Sequence, residues 1–369
     1  MQQLKEVISV PHQQDPQSDS HLPDIPFFTQ LGILRRLLNS SEEFLKLAAM
    51  SVTLLLILLA TAYGQVTLNQ WNVPFYNSIE QRDVPEFIRQ LQIFVFIAAG
   101  LLVLNVAQNW FQQTLSVVMR KAIVKNLLDC WLHGNKASKL DKTGFYAQNP
   151  DQRIHQDTRQ LADSTTGLTI GFIQSSILLF SFIGILWNVS EGFVFHYNGY
   201  EFSLPGYMVW AAILYVGLAS ALSRLVGRGL VKLNAAREAQ EAEFRTALVK
   251  IISENDNYPM ANESERKIGF LRGKFQGLYS SIKKLILMET NLTWISSGFG
   301  WMAIVVPILA AAPIYFSGGL NFGGLMMTVG AFNQVYSALR WYVNNYQAIA
   351  EWRAHLLRIT GFHTLLLTE

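Results

Sequence analysis

From about Leu47 to Val66 the chain is almost uninterrupted apolar, close to the 20 residues that a helix needs to cross a bilayer core of roughly 30 Å. Inside hydrocarbon every backbone N–H and C=O needs a partner from its own segment, so such a run is confined to the α-helix. Four similar runs follow, at about Ile93 to Leu115, Leu168 to Trp187, Tyr207 to Leu225 and Leu292 to Phe316. A sixth, Phe322 to about Val343, is interrupted by Asn333, Gln334, Ser337 and Arg340. With half of the 369 residues hydrophobic and 15% charged, lipid is the favoured solvent. The expected fold is all-α, a polytopic membrane protein with six transmembrane helices.

The charges divide by side. All but two of the 29 Lys and Arg fall before the first run, in the segments 116–167 and 224–285, or near the C-terminus; the exceptions are Arg82 and Arg89. Basic residues are retained on the cytoplasmic face, so both termini are expected inside. Residues 1–40 read as a polar cytoplasmic tail and 41–363 as the transmembrane domain. The two basic segments still carry apolar residues at helical spacing (VMRKAIVKNLLDCWLHG and RLVGRGLVKLNAAREAQEAEFRTALVKII), which predicts helices running past the bilayer. A net charge of +3 gives no reason to expect nucleic acid, and the single Cys130 excludes an internal disulfide or a Cys-rich metal site.

Polar residues inside spans need a cavity or a neighbouring helix. In the second span Asn105, Gln108 and Asn109 share one helical face; in the sixth, Asn333, Ser337, Arg340 and Asn344 form a stripe with Tyr336 beside it. Both are candidate walls of a wet translocation cavity, and interhelical hydrogen bonding accounts equally well for the second-span face. Proton coupling would need a titrating carboxylate, for which the candidates are Glu80, Asp83, Glu86, Glu191, Glu201 and Glu289. The histidines show no paired metal spacing, so His133, His155 and His196 read as loop residues and no metal site is expected. Trp71, Tyr76, Trp187, Tyr197, Tyr200, Tyr207 and Trp210 suit an interfacial belt.

On the basic side, Asn149 can cap a helix that starts at Pro150, with Asp151 where the helix dipole favours an anion; Gln152, Arg153 and Asp157 follow. This tip, together with Glu254 and Asn255, is a candidate coupling element. The only run approaching a nucleotide-binding loop, Gly269 to Phe275 (GFLRGKF), has three residues between its glycines and Phe275 where a hydroxyl should bind magnesium. It is not expected to hold phosphate, nor this chain to hydrolyse ATP by itself.

Several of these runs carry a resemblance. Trp71–Asn72 with Phe75–Tyr76–Asn77 and Asp83, the NPDQRI run with Asp157, Glu243–Phe244–Arg245, and Ala350–Glu351–Trp352–Arg353 through Arg358–Ile359–Thr360–Gly361–Phe362 resemble the SbmA/BacA and YddA group of subfamily D-like ABC transporters over roughly residues 40–363. The resemblance implies the six-helix exporter-type fold, a homodimer, a bacterial inner membrane, and transport of peptides or other hydrophilic solutes. ATP-driven members continue into a nucleotide-binding domain, whereas this sequence reaches Glu369 shortly after that last run, so ATP and magnesium are expected only on a separate subunit. Where relatives read ENAE, this chain has ENDNYPMANESERK, and Pro259 would disturb a continuous helix. Proton-driven uptake without an ATPase, and a role as a non-transporting assembly partner, are the alternatives.

Overall fold

A computed structural model describes residues 26–39, 41–132, 150–191, 194–197, 200–253 and 261–368. Its helices are α1 (Phe27–Asn39), α2 (Phe44–Glu80), α3 (Val84–Leu132), α4 (Pro150–Ser190), α5 (Tyr207–Gly227), α6 (Leu230–Ser253), α7 (Ala261–Phe316), α8 (Phe322–Asn344) and α9 (Tyr346–Thr368). Each expected span lies inside one of them, and the extensions are real: α7 has 56 residues, about 84 Å of helix. Among the described residues, five helices are long and apolar enough to cross a membrane; α8 is not among them, because its polar residues dilute its 23-residue length.

One element was not expected. Between α4 and α5 a two-stranded antiparallel hairpin pairs β1 (Val194–Tyr197) with β2 (Tyr200–Ser203), Val194 opposite Ser203 and His196 opposite Glu201. His196 is therefore a strand residue, and His155 lies in the first turns of α4; neither is in a loop, while His133 lies outside the described residues.

The chain divides into two compact units, one from Met1–Ala60, Val103–Ile173 and Asn345–Glu369, the other from Thr61–Leu102 and Gln174–Asn344. In the first, Leu34 of α1, Met50 of α2, Ile123 and Leu127 of α3, Leu161 of α4 and Ile359 and Phe362 of α9 form a buried core. Most of it lies on helix extensions beyond the expected spans, where water is the competitor and burial of each large side chain contributes about 1.5–3 kcal/mol. In the second, Phe182 of α4, Met208 and Ala212 of α5, Ala311 of α7 and Phe332 and Val335 of α8 are buried within expected spans. Lipid tails are as apolar as these side chains, so close packing, not expulsion of water, holds them together.

The ends are locally specified. Asp83 Oδ1 accepts from the Glu86 amide at 3.1 Å and caps α3, while Arg82 at φ 55° takes the left-handed conformation that closes α2. The run that resembles a phosphate loop lies inside α7, where Lys274 pairs with Glu243 of α6 at 2.9 Å and Phe275 lies 5.6 Å from Phe244. Those side chains join two helices.

Candidate functional site

The start of α4 is built around a buried carboxylate. Pro150 opens the helix, as its fixed φ and missing N–H favour, with Asp151 in the first turn; Asn149, Glu254 and Asn255 lie outside the described residues. Arg153–Asp157 then winds as a π-helical turn, an insertion that proteins retain mostly at functional sites. The turn carries Asp157 into the interior with no exposed surface. Its carboxylate accepts from Arg153 Nη1 at 2.9 Å, lies 2.9 Å from His355 Nδ1, and is approached by Arg358 Nη1 at 3.5 Å. Arg153 is also buried. Arg153 and Asp157 thus belong to the interior of the tip, whose exposed residues are Asp151 and Gln152 with His155 and Gln156.

His355 and Arg358 both come from α9, whose Trp352 donates from Nε1 to the Thr165 hydroxyl of α4 at 2.8 Å and meets the Phe27 ring of α1 edge-on at 6.1 Å. One stripe of α9, at 352, 355, 358 and 359, is thereby joined to the first turns of α4. Two exposed ion pairs add to this unit: Glu42 with Lys125 at 2.8 Å, and Glu43 with Lys121. Hydrogen bonding to these lysines holds both carboxyls below the usual carboxylate range, and the bond to Glu42 raises Lys125.

His363, one turn beyond the buried Thr360, is half-buried, and burial lowers its pKa. The folded state therefore favours neutral His363, while the unfolded chain titrates near 6.5. That contribution to stability is complete above about pH 6.5 and declines as pH falls toward the depressed folded value. Thermal unfolding between pH 7.5 and 5 should show a steeper loss in the natural chain than in His363→Gln; equal slopes would exclude His363 as the cause.

In the other unit α8 carries the polar stripe. Ser337 and Asn344 are exposed, Asn333, Tyr336 and Arg340 partly so. Arg340 Nη1 donates to the Tyr336 hydroxyl and its guanidinium stands 5.4 Å over that ring, so it has a partner on its own helix. Tyr336 lies 5.4 Å from Tyr215 of α5, whose hydroxyl donates to the Phe299 carbonyl of α7. On α3, Asn105 and Asn109 are exposed and Gln108 partly buried; Asn109 accepts from Gln113 at 3.2 Å. Of the acidic candidates, Glu80, Asp83, Glu191 and Glu289 are exposed, and Glu86 pairs with Arg89 at 3.2 Å and with the Gln90 amide at 2.6 Å. Glu201 is paired by its backbone in β2. Among the proton-coupling candidates whose side chains are described, Glu80, Asp83, Glu86, Glu191 and Glu289, none is buried.

The sequence reading missed a seam between α2 and α8. Gly323 donates its amide to Asn77 Oδ1 at 2.9 Å, and a Cβ there would stand 2.7 Å from the Val73 Cα and closer still to its carbonyl oxygen. Two turns along, Gly330 lies against the Asn69 side chain, which is itself buried. Asn69, Val73 and Asn77 step by four along α2, and the glycines let the two backbones approach. Thr61, Gln65 and Asn69 extend the same face, and Thr61 Oγ1, Gln65 Oε1 and Asn69 Nδ2 are buried with no hydrogen-bond partner among the described residues. The glycines in FGGLMMTVGA were the available signal, but nothing local says which helix they face.

Long apolar helices that run on well past the bilayer and are fastened by buried polar contacts are the architecture of a transporter's membrane region. The chain belongs to the ABC transporter transmembrane region 2 family, whose model matches residues 33–316. Similar proteins include the inner membrane ABC transporter ATP-binding protein YddA of Escherichia coli, 29% identical over 85% of this chain and 57% of that protein. Another is the chloroplastic ABC transporter D family member 2 of Arabidopsis thaliana, 27% identical over 89% of this chain and 44% of that protein. An uncharacterized ABC transporter ATP-binding protein of Haemophilus influenzae is 25% identical over 85% and 53%. The chain spans about half the length of these relatives.

Proposed function

We propose that the chain is the permease domain of an ABC-type transporter, working as a homodimer that moves peptides or other hydrophilic solutes across the inner membrane by alternating access, with both termini cytoplasmic. The observation that carries this reading is the exposure of Asn105, Asn109 and Ser337 within expected spans and of Asn344 at the end of the sixth. Amides and hydroxyls facing hydrocarbon are costly, so each face calls for water in place of lipid, which a lumen enclosed with a second copy would supply. The two relatives described as ATP-binding proteins, each about twice the matched length, favour ATP as the energy source. In that reading an ATP-binding module docks on the tip at Asp151 and Gln152 and on the segment at Glu254 and Asn255. The proton-driven alternative would draw on Glu80, Asp83, Glu86, Glu191, Glu201 and Glu289, but the described side chains among these lack the burial that brings a carboxyl into the working range.

Proteoliposomes holding the chain test this with a labelled proline-rich peptide. Uptake is expected only when an ATP-hydrolysing subunit and ATP are supplied, and the Ser337→Leu, Asn344→Leu double variant should reduce it about tenfold, the value of one lost hydrogen bond of 1.4 kcal/mol. Uptake under a pH gradient without ATP would establish the proton-driven reading instead, and uptake untouched by the double variant would remove α8 from the path. Crosslinking in the same vesicles should return dimers; monomer alone would exclude the homodimer.

A further inference from the structure

The first unit holds a cavity of about 410 Å³ bounded by α1, α2, α3 and α4. Leu34, Leu38, Leu54 and Leu58 supply much of its wall. Three of its four hydroxyls are already engaged within their own helices, Ser51 with the Leu47 carbonyl at 2.8 Å, Thr165 with Leu161 at 2.6 Å and Thr166 with Ala162 at 3.0 Å. The lining therefore offers an occupant almost no polar partner, and a cavity of this kind excludes water and takes hydrocarbon. Its size falls in the range of ligand pockets.

Its rim has the opposite character. Arg35 lines the opening from α1, is exposed, and makes no ion pair among the described residues; Arg36 beside it is exposed too. Helix α1 buries Leu34 and Leu37 on one face and shows Phe28, 83% exposed, and the two arginines elsewhere, the pattern of a helix lying in a membrane interface. The cavity reaches from this helix along the first half of α2, which is the leaflet depth of one acyl chain on the side where the basic residues concentrate.

We propose that this cleft is a binding site for an anionic phospholipid, one acyl chain filling the cavity and the phosphate headgroup engaging Arg35. The bound lipid links α1 to α2 and α4, and it is separate from the translocated solute. Charge complementarity selects the anionic headgroup, since the rim offers a guanidinium and juxtamembrane basic residues attract such lipids.

Native mass spectrometry of the full chain, delipidated in detergent and then given equimolar dioleoylphosphatidylglycerol and dioleoylphosphatidylcholine, tests it. One phosphatidylglycerol should be retained per chain in preference to phosphatidylcholine. Ala48→Phe, which fills the cavity, should weaken retention about tenfold, the effect of displacing about two methylenes; Ser51→Leu serves the same purpose if the first variant is not monodisperse. Arg35→Gln should keep a bound lipid and lose the headgroup preference. Equal binding of both lipids to the natural chain, undiminished retention in a monodisperse filled variant, or equally tight binding of chain-free glycerophosphoglycerol would each overturn the proposal.

Discussion

Asp157→Ala is expected to lower the unfolding free energy of the chain by about 3–5 kcal/mol, because it removes the buried carboxylate that the Arg153 guanidinium pairs with and that His355 and Arg358 also approach. Breaking one side of a buried pair costs far more than the pair itself contributes, since the remaining ion stays out of water without that carboxylate. The loss should appear in thermal unfolding in detergent, and α9 should become the first segment cut by limited proteolysis, because His355 and Arg358 lose their common acceptor. Arg358→Ala is the control: Arg358 is 38% exposed and its contact is 3.5 Å, so about 1 kcal/mol or less is expected. Equal losses from the two substitutions would mean that the carboxylate is not the hub.

The second large effect concerns one carbon atom. Ala in place of Gly in a helix is ordinarily stabilising by roughly 0.5–1 kcal/mol. At Gly323 the sign should reverse to a loss of about 1–3 kcal/mol, because the added Cβ meets the Val73 backbone, which cannot turn aside as a side chain can. Gly330→Ala is the graded comparison, since the atom it meets is the end of the Asn69 side chain, which can rotate. Melting temperatures of the two variants in one detergent decide the matter. A Gly323→Ala protein as stable as the natural one would show that α2 and α8 are not held at this distance.

Together these contacts explain why residues picked out by resemblance occur where they do. Trp352 and Arg358 lie on the α9 stripe joined to the π-turn, Asn77 receives the Gly323 amide, and Glu243 and Phe244 clasp α7. Their common task is to hold long helices in register. The polar residues Asn105 and Asn109 of α3 and Ser337 and Asn344 of α8 are left exposed.

The parts readable from the sequence are those governed by a single segment and its solvent. Twenty apolar residues in a row have one stable conformation in hydrocarbon, so the helices around Leu47–Val66 and the other runs were legible, as were the start of α4 at Pro150 and the shared face of Asn333, Ser337 and Asn344. That helices run past the expected spans followed from helical spacing; that α7 begins as early as Ala261 did not. The hairpin was not legible: its strands are four residues each, too short for alternation to stand out from a polar loop. The partners were not legible either. Asp157 meets His355 across 198 positions and Asn77 meets Gly323 across 246, and an isolated sequence places no constraint on such pairs. By itself the sequence determined that the long apolar runs are helices and which of their faces are polar, because backbone satisfaction and periodicity are local; that Phe27–Asn39 of the expected tail is a helix, which faces meet, and that Asp157 is interior at the start of α4, were decided only by tertiary packing, where burial and distance are set.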